Sequence, residues 1–343
     1  MLTTRPVSRP WAAAVLAVGL AAVAAGPARA AADGQTFVMK LGLATLNDAQ
    51  HEWCKIFAAD VAKDSGGRIK GEIYPASQLG SIPREIEGVQ FGAIQGYIGP
   101  PEFLVGVDER YEVPSTPGIV DGMDHAVRLV HDAKFKQMML GLGANKGIRG
   151  VALFVYQPSS VIAREPIRHL ADFKGKKLRV LAANMQEEMV RRLGGTPVAM
   201  TLADVLPAMQ QGTIDGAVAA ITVDTTMHYQ DAAKYITETG QPFIFSMAFL
   251  SKKWFDGLPK DLQKILTADA DKATAAVIPW ELKFYAQQRE VWKSRGGELI
   301  ELPPAEQASM MKTLSTIGED ETKSKPALHA AYETMIAAAK RTE

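Results

Sequence analysis

From Thr36 onward, segments that favour β-strands alternate with segments that favour α-helices, and this order limits the possible folds more than any other feature of the chain. Residues 37–43 and 150–156 are apolar runs rich in β-branched and aromatic side chains, which is typical of buried strands. Residues 49–65 and 124–142 have the apolar spacing of helices. Such alternation predicts an α/β protein with parallel pairing in its sheets.

The alternation starts afresh at Gln157, which indicates that the chain crosses into a second lobe there. A strand over residues 243–250 would return the chain to the first lobe. We therefore expect residues 31–156 and 245–285 to form lobe I and residues 157–244 to form lobe II. Two crossings in opposite directions leave both lobes discontinuous in sequence and place a hinge between them.

Residues 259–295 predict one very long helix, because most of their apolar side chains recur at three- and four-residue spacing. At 1.5 Å per residue such a helix is roughly 50 Å long, enough to reach across both lobes. Pro279 cannot donate a backbone hydrogen bond and crowds the preceding turn, so we expect a kink there. Residues 286–343 are expected to continue this helix and to pack two closing helices, 305–317 and 325–340, across the lobes.

The start of the chain predicts an export signal. Arg5 and Arg9 give a positively charged beginning, residues 12–25 form an apolar core of the usual length, and the tripeptide Ala-Arg-Ala that ends at Ala30 has the pattern of a cleavage site. The apolar run is short for a membrane span. We expect a signal peptide over residues 1–30, cleavage after Ala30, export by the general secretory route and a periplasmic location. An uncleaved anchor is the alternative.

The charge balance argues against a nucleic-acid partner. The chain has 38 basic and 38 acidic residues, and three of the basic ones, Arg5, Arg9 and Arg29, precede the predicted cleavage site. No acidic residue precedes it, so the mature chain carries 35 basic against 38 acidic residues and a formal charge of −3. Proteins that bind nucleic acid usually carry a basic excess.

No catalytic signature occurs in the sequence. It has no G-x-S-x-G elbow, H-E-x-x-H motif, C-x-x-C pair or phosphate-binding glycine loop. Cys54, the only cysteine, lies three residues after His51, so the two would share a helix face as a nucleophile and its base require. The apolar neighbours of Cys54 favour a buried structural thiol. We predict a binding protein rather than an enzyme, with no cofactor and no metal; an exported hydrolase using Cys54 and His51 is the alternative.

The candidate ligand anchor is Arg179, near the end of a short strand that follows a lysine-rich turn in residues 172–180, Asp-Phe-Lys-Gly-Lys-Lys-Leu-Arg-Val. A guanidinium held there offers a fixed fork of donors to a carboxylate. On this local pattern alone, a solvated surface arginine is the plainer interpretation. The chain also contains YPASQLG at 74–80, GGTPVAM at 194–200, DVLPAMQQG at 204–212 and IDG at 214–216. Together these blocks resemble the extracytoplasmic solute receptors of tripartite ATP-independent periplasmic (TRAP) transporters, the DctP-like family, over nearly all of the mature chain.

The resemblance implies a two-lobe periplasmic binding protein of the Venus-flytrap type, with the long helix spanning both lobes. It also implies that Arg179 holds the carboxylate of a small organic acid in the cleft between the lobes. The partner would be the subunits of a separate TRAP membrane permease driven by an ion gradient, and the receptor would meet the membrane only through that permease. A receptor that presents its ligand-bound form to a membrane sensor is the alternative.

Three departures from the family pattern indicate the kind of ligand. The asparagine that many members place in the strand after the Asp-Gly pair is Ala219 here. A second arginine common at the start of lobe II is Ser159, and a stacking aromatic residue ahead of the glutamine-rich helix is Leu202. Because Arg179 is kept and these helpers are not, we expect a largely apolar pocket with one anionic anchor. Such a pocket suits a monocarboxylate with an apolar or aromatic body.

Further ligand contacts are predicted from position in the chain. The candidates are Tyr97, Gln157, Thr222, His51, Trp53 and Phe245. Tyr97 ends a strand, where open α/β sheets place ligands, although it could instead cover the core. The polar side chains of Gln157 and Thr222 could replace the missing donors. The other three could face the cleft, with a core position as the alternative for each aromatic residue and a solvated or capping role for the histidine.

Overall fold

Two β-sheets organise the part of the chain that the structure describes. The computed structural model describes residues 35–343, so the predicted signal peptide, residues 1–30, lies outside the described residues. Thr36–Glu343 forms one compact unit. Within it, no helix combines the length and the apolar character needed to cross a bilayer.

The strands and helices alternate as the sequence predicts. The strands are β1 (Phe37–Leu43), β2 (Ile69–Tyr74), β3 (Gly96–Gly99), β4 (Ile148–Pro158), β5 (Ser160–Ala163), β6 (Lys177–Val180), β7 (Thr196–Ala199), β8 (Gly216–Ala219), β9 (Tyr235–Thr237), β10 (Phe243–Ser251) and β11 (Glu298–Ile300). The α-helices are α1 (Ala49–Asp64), α2 (Ile82–Phe91), α3 (Met123–His131), α4 (Ala133–Gly141), α5 (Asn184–Arg192), α6 (Leu202–Gln210), α7 (Ile221–Thr226), α8 (Lys252–Asp256), α9 (Lys260–Ser294), α10 (Pro304–Leu314), α11 (Ile317–Thr322) and α12 (Pro326–Thr342).

The first sheet has the strand order β2-β1-β3-β10-β4, and the second has the order β11-β9-β5-β8-β6-β7. Parallel pairing joins β1 to β2 and β3 in the first sheet, and β6 to β7 and β8 in the second. The predicted parallel pairing is therefore present, and antiparallel pairing occurs beside it: β10 runs antiparallel to β3 and β4, and β5 runs antiparallel to β8 and β9. The antiparallel strands β4, β5 and β10 are those next to the two passages of the chain between the sheets.

The chain passes between the sheets at two places. A single residue, Ser159, separates β4 of the first sheet from β5 of the second, and the chain returns to the first sheet between β9 and β10. The hydroxyl of Ser159 donates to the carbonyl of Gln241 at 2.6 Å, which ties the two passages together. The lobe boundaries given above stay a prediction.

The long helix α9 spans 35 residues, Lys260–Ser294, and is continuous through Pro279. It packs against α1 and β4 on the side of the first sheet and against α7 and β11 on the side of the second. The apolar stripe is buried as expected in the first half of the helix. After Pro279 it differs from the prediction: the buried side chains there include Glu281 and Gln288, while Phe284 is half-buried. The kink expected at Pro279 stays a prediction.

The helices differ from the prediction at two places, where one predicted helix is divided and an additional short helix is present. The segment expected as one helix over 124–142 forms α3 and α4, because Asp132 has an extended backbone (φ −62°, ψ 121°) and its carboxylate accepts hydrogen bonds from the amides of Lys134 and Phe135. The segment after α9 holds three helices instead of two, since α11 is separate from α10. Helices α10 and α11 contact α5, whereas α12 contacts α3 and α4.

Candidate ligand-binding site

A cavity lies between the two sheets, at the carboxyl ends of several strands. Its walls come from both sheets and from the helices and loops that follow their strands, and its volume is about 40 Å³ for the centre of a water-sized sphere. The lining residues are Ala44, Thr45, Gln50, Ile82, Tyr97, Pro100, Phe103, Tyr156, Arg179, Leu181, Leu202, Ala219, Ala220, Val223 and Ile244. Most of these side chains are apolar, and Arg179 is the only charged one among them.

Arg179 reaches the cavity because side chains alternate along β6. Leu178 and Val180 are buried in the apolar core of the second sheet, so the side chain between them points to the opposite face. The Arg179 side chain is 2% exposed. Its Nε atom donates to the carbonyl of Met200 at 3.1 Å and its Nη1 atom donates to the carbonyl of Val218 at 3.2 Å.

These two bonds fix the plane of the Arg179 guanidinium and use two of its five N–H groups. The remaining donors are on Nη1 and Nη2, the atoms of the fork that binds a carboxylate end-on. Within residues 35–343 no carboxylate lies within 4.0 Å of Arg179, so this fork is not used in a salt bridge there. Arg179 is also the only arginine or lysine among the buried residues of the described part. The arrangement can accept an anionic group from the cavity.

Asp224, on α7, is the carboxyl group whose charge acts on Arg179. It is fully buried, and neither of its carboxylate oxygens has a hydrogen-bond partner within the described residues. Burial raises the pKa of Asp224 well above its usual value, and the charge of Arg179 opposes that change. Burial likewise lowers the pKa of Arg179, against the charges of Tyr229 and Asp224. Asp224 was not predicted from the sequence; its one signal is an acid within an otherwise uncharged helix that follows β8.

A buried polar network lies behind one wall of the cavity. The Tyr156 hydroxyl donates to Oδ2 of Asp48 at 2.8 Å. The next residue, Gln157, donates through Nε2 to Glu281 of α9 and to the hydroxyl of Thr222, and its Oε1 accepts from the Thr222 amide at 3.3 Å. This network connects β4, α7 and the long helix, and so connects elements next to both sheets.

Three of the nine residues proposed from the sequence line the cavity: Arg179, Tyr97 and Ala219. Leu202, which stands where the family resemblance implies an aromatic residue, lines it too. The Tyr97 hydroxyl is buried and has no hydrogen-bond partner within residues 35–343. Burial, together with the charge of Glu85, raises the pKa of Tyr97, so the phenol stays neutral and can donate.

The other six candidates lie outside the lining. Gln157 and Thr222 belong to the buried network, and Ser159 bonds to Gln241 at the passage between the sheets. Trp53 is in the core, where its Nε1 donates to Thr274 at 3.0 Å. Two further candidates are Phe245, which is buried in β10, and His51, whose Nδ1 accepts from the amide of Asn47 at 3.1 Å. Their roles as ligand contacts stay predictions.

Several lining residues were missed from the sequence. Gln50 donates through Nε2 to the hydroxyl of Ser246 at 3.0 Å and accepts from the hydroxyl of Thr45 at 3.3 Å. Thr45 lies in the loop after β1, Gln50 lies at the start of α1, which comes next, and Tyr97 lies within β3. Their signal was available, because ligands of open α/β sheets bind beyond the carboxyl ends of strands. Tyr156 and Phe103 gave no signal beyond being aromatic.

The pair Cys54 and His51 lacks the environment of a nucleophile and its base. Cys54 is buried, and burial together with the charge of Asp48 raises the pKa of its thiol. Reactive cysteines have lowered pKa values, because the thiolate is the attacking species. The position of Cys54 therefore matches the structural thiol that the sequence favoured.

A group of possible metal ligands lies on α11 and α12, away from the cavity. The ligand atoms of Glu319, His329 and Glu333 all lie within 4.8 Å of one another, and the two glutamates are exposed. The Nδ1 atom of His329 is already hydrogen-bonded to the hydroxyl of Thr322, at 2.9 Å.

The model of the family named bacterial extracellular solute-binding protein, family 7 (DctP) matches residues 42–323. The C4-dicarboxylate-binding periplasmic protein DctP of Rhodobacter capsulatus is 26% identical over 268 residues, covering 75% of this chain and 78% of the relative. The 2,3-diketo-L-gulonate-binding periplasmic protein YiaO of Escherichia coli is 25% identical over 227 residues, covering 66% and 69%.

Solved structures of TRAP periplasmic solute-binding proteins have the same fold. One from Desulfovibrio salexigens with bound orotic acid gives a TM-score of 0.82 at 21% identity and covers 89% of this chain and 100% of its own. One from Shewanella oneidensis with bound succinate gives 0.82 at 20% identity and covers 89% and 99%. These similarities confirm the predicted two-lobe α/β fold with a long helix.

Proposed function

Since this chain belongs to the DctP family of bacterial extracellular solute-binding proteins, we propose that it is a periplasmic receptor that captures a small organic acid and delivers it to a TRAP membrane permease. The observation that carries the proposal is the Arg179 guanidinium, which is buried in an apolar cavity between two sheets and forms no salt bridge with a carboxylate of the described residues. A family of solute-binding proteins also has no need of the catalytic groups that this sequence lacks.

Arg179 would bind the ligand's carboxylate through two parallel N–H···O bonds. A charge-assisted contact of this kind contributes roughly 1.5–3 kcal/mol net. Because both sheets contribute to the cavity wall, a ligand contacts both at once only when the lobes are closed. It therefore shifts the population toward the closed form, and the permease recognises that form.

The lining favours a monocarboxylate with an apolar or aromatic body. Ala219 and Leu202 leave the part of the wall near Arg179 apolar. The polar side chains elsewhere in the lining are Thr45, Gln50, Tyr97 and Tyr156, and of these the Tyr97 hydroxyl is without a partner in the described residues. A ligand with one carboxylate, an apolar body and a single acceptor at its other end would satisfy these groups. The relatives' names mention other acids, including C4-dicarboxylates and orotate.

A thermal-shift screen of residues 31–343 tests this function. The screen would use benzoate, phenylacetate, isovalerate, succinate, a neutral sugar and an amino acid. A ligand at 100 times its dissociation constant adds roughly 2.7 kcal/mol of stability, which raises the midpoint by some degrees. Stabilisation by one or more of the monocarboxylates supports the proposal. A response to succinate alone would keep the receptor and contradict the ligand class, and a response to the sugar alone would contradict both.

A further inference from the structure

The charges buried around the cavity are unbalanced. Burial, together with the charges of Asp48, Glu281 and Asp224, raises the pKa of Tyr156, so three carboxyl groups act on one cavity-lining phenol. All three carboxyl side chains are buried, and Arg179 is the only buried arginine or lysine of the described residues. A ligand carboxylate would add a further negative charge to this region, where an uncompensated ion is costly.

The three carboxyl groups differ in how well they can remain anions. Asp48 accepts from the amide of His51 at 3.0 Å and from the hydroxyl of Tyr156 at 2.8 Å. Glu281 accepts from Gln157 through one oxygen. Asp224 accepts no hydrogen bond within the described residues, although it is fully buried. The anion of Asp224 therefore depends on charge alone.

That charge comes from Arg179. The titratable groups that act on Asp224 or are acted on by it are Arg179 on β6, Tyr229 just after α7 and Tyr156 on β4. Helix α9 packs against α7. Glu281 of α9 accepts from Gln157, and Arg295, directly after the helix, donates to the carbonyl of Thr225. Among these groups only the Arg179 guanidinium favours the ionised form of Asp224.

We propose that Asp224 is the internal counter-ion of Arg179 and takes up a proton from solvent when a ligand carboxylate occupies Arg179. The inference rests on the proposed function and adds to it the uptake of one proton on ligand binding. In the free receptor, at a pH high enough for Asp224 to ionise, its negative charge and the guanidinium balance each other. A bound carboxylate cancels the positive charge that supports the Asp224 anion, so one Asp224 oxygen becomes protonated and the closed cavity remains neutral.

Proton uptake makes the affinity depend on pH. Below the range in which Asp224 of the free receptor ionises, the affinity is constant. Above it, each pH unit lowers the association constant by up to about tenfold, because one proton must be bound together with the ligand. The ligand itself stays ionised throughout, since simple carboxylic acids lose their proton well below neutral pH.

The test is calorimetric titration of residues 31–343 with the acid that gives the largest thermal shift among benzoate, phenylacetate, isovalerate and succinate. Titrations from pH 6 to pH 9 in phosphate and in Tris give the number of protons exchanged, because these buffers differ in their enthalpy of ionisation. We expect wild type to take up between half a proton and one proton at the upper end of this range. Asp224→Asn should bind with no proton uptake and with a flat pH profile.

The control is Glu281→Gln, which neutralises a neighbouring buried carboxyl and should leave proton uptake as in wild type. Binding that exchanges no proton across the whole range would overturn the inference while leaving the receptor function intact. If proton uptake survives in Asp224→Asn and disappears in Glu281→Gln, the proton binds to a group other than Asp224, and the inference is wrong.

A second measurement needs no ligand. The double-mutant cycle of Arg179→Met and Asp224→Asn, followed by urea unfolding at pH 8, should give a favourable coupling between the two residues. If none of the four acids binds, the proposed ligand class fails, and this coupling still decides whether Asp224 is the counter-ion. A coupling of zero would contradict it.

Discussion

At the scale of single residues, the site depends on which face of a strand each side chain occupies. Leu178 and Val180 pack into a core, and the arginine between them faces the cavity. Motif and strand position together were enough to predict Arg179. They were not enough for Asp224, Gln50 or Tyr156, because these side chains reach the cavity region from separate elements whose packing a single sequence does not specify.

Ala219 offers a test of a single residue, because it lines the cavity at the position where the family resemblance implies an asparagine. In Ala219→Asn the amide would fill space beside Arg179 and would need to be desolvated without an assured partner. We expect the affinity for benzoate or phenylacetate to fall at least about tenfold, or about 1.4 kcal/mol, with a smaller loss for succinate. Competition titrations measure both ligands on one sample.

The matched control is Ala171→Asn, which changes an exposed alanine outside the cavity and should leave both affinities unchanged. Equal losses for both acids in Ala219→Asn would show that the position does not select the ligand.

At the scale of elements, helix boundaries were predicted well where glycine or a strand marks them and poorly where one side chain makes a cap. Apolar spacing continues through residues 124–142, so the sequence predicts one helix. Asp132 breaks it by capping α4, and it also forms an ion pair with Arg341 of α12 at 2.9 Å. An aspartate within a helical pattern is common on helix surfaces, so its capping role was not evident from the sequence.

Asp132→Ala should lower the free energy of unfolding by about 1 kcal/mol through loss of the cap, with at most about 1 kcal/mol more from the half-exposed ion pair. Asp132→Asn keeps the capping oxygen and removes the charge, so it should lose only the contribution of the ion pair to the free energy of unfolding. Urea unfolding of both variants separates the contributions. The control is Asp124→Ala, at an exposed position on α3. If Asp132→Ala is as stable as this control, Asp132 does not stabilise the start of α4.

At the scale of the whole molecule, buried carboxyl groups make stability depend on pH. Burial raises the pKa of Glu102 to about 7 and that of Glu85 to about 7, against 4.5 for the usual value. Between pH 4.5 and pH 7 the folded state therefore holds protons that the unfolded chain releases, so these groups cost stability as the pH rises through this range. For Glu102 the cost at pH 8 is on the order of 3 kcal/mol.

Glu102→Gln removes this titration and keeps an oxygen that can accept from Ser115. We expect its stability relative to wild type to increase from pH 5 to pH 8, as measured by urea unfolding at both values. Glu301→Gln, at an exposed position, should show no such change. A Glu102→Gln variant whose difference from wild type is the same at both pH values would show that Glu102 ionises normally.

The two passages between the sheets were predicted from the restart of the strand and helix pattern at Gln157 and from the return strand near residue 243. The antiparallel pairing of β4, β5 and β10 was not, since strand direction within a sheet depends on contacts between distant segments. The cavity is lined by residues of both sheets, which is why we propose that one arginine on one strand binds a ligand that both sheets enclose.

The contact between Arg179 and the ligand is tested by calorimetric titration of wild type, Arg179→Ala and Arg179→Lys with the acid selected by the thermal-shift screen. Arg164→Ala, which removes an exposed arginine next to β5, serves as the control. We predict that Arg179→Ala weakens binding at least about tenfold, or about 1.4 kcal/mol, and that lysine, lacking the planar fork, restores little of it. Wild-type affinity in a correctly folded Arg179→Ala protein would contradict the account.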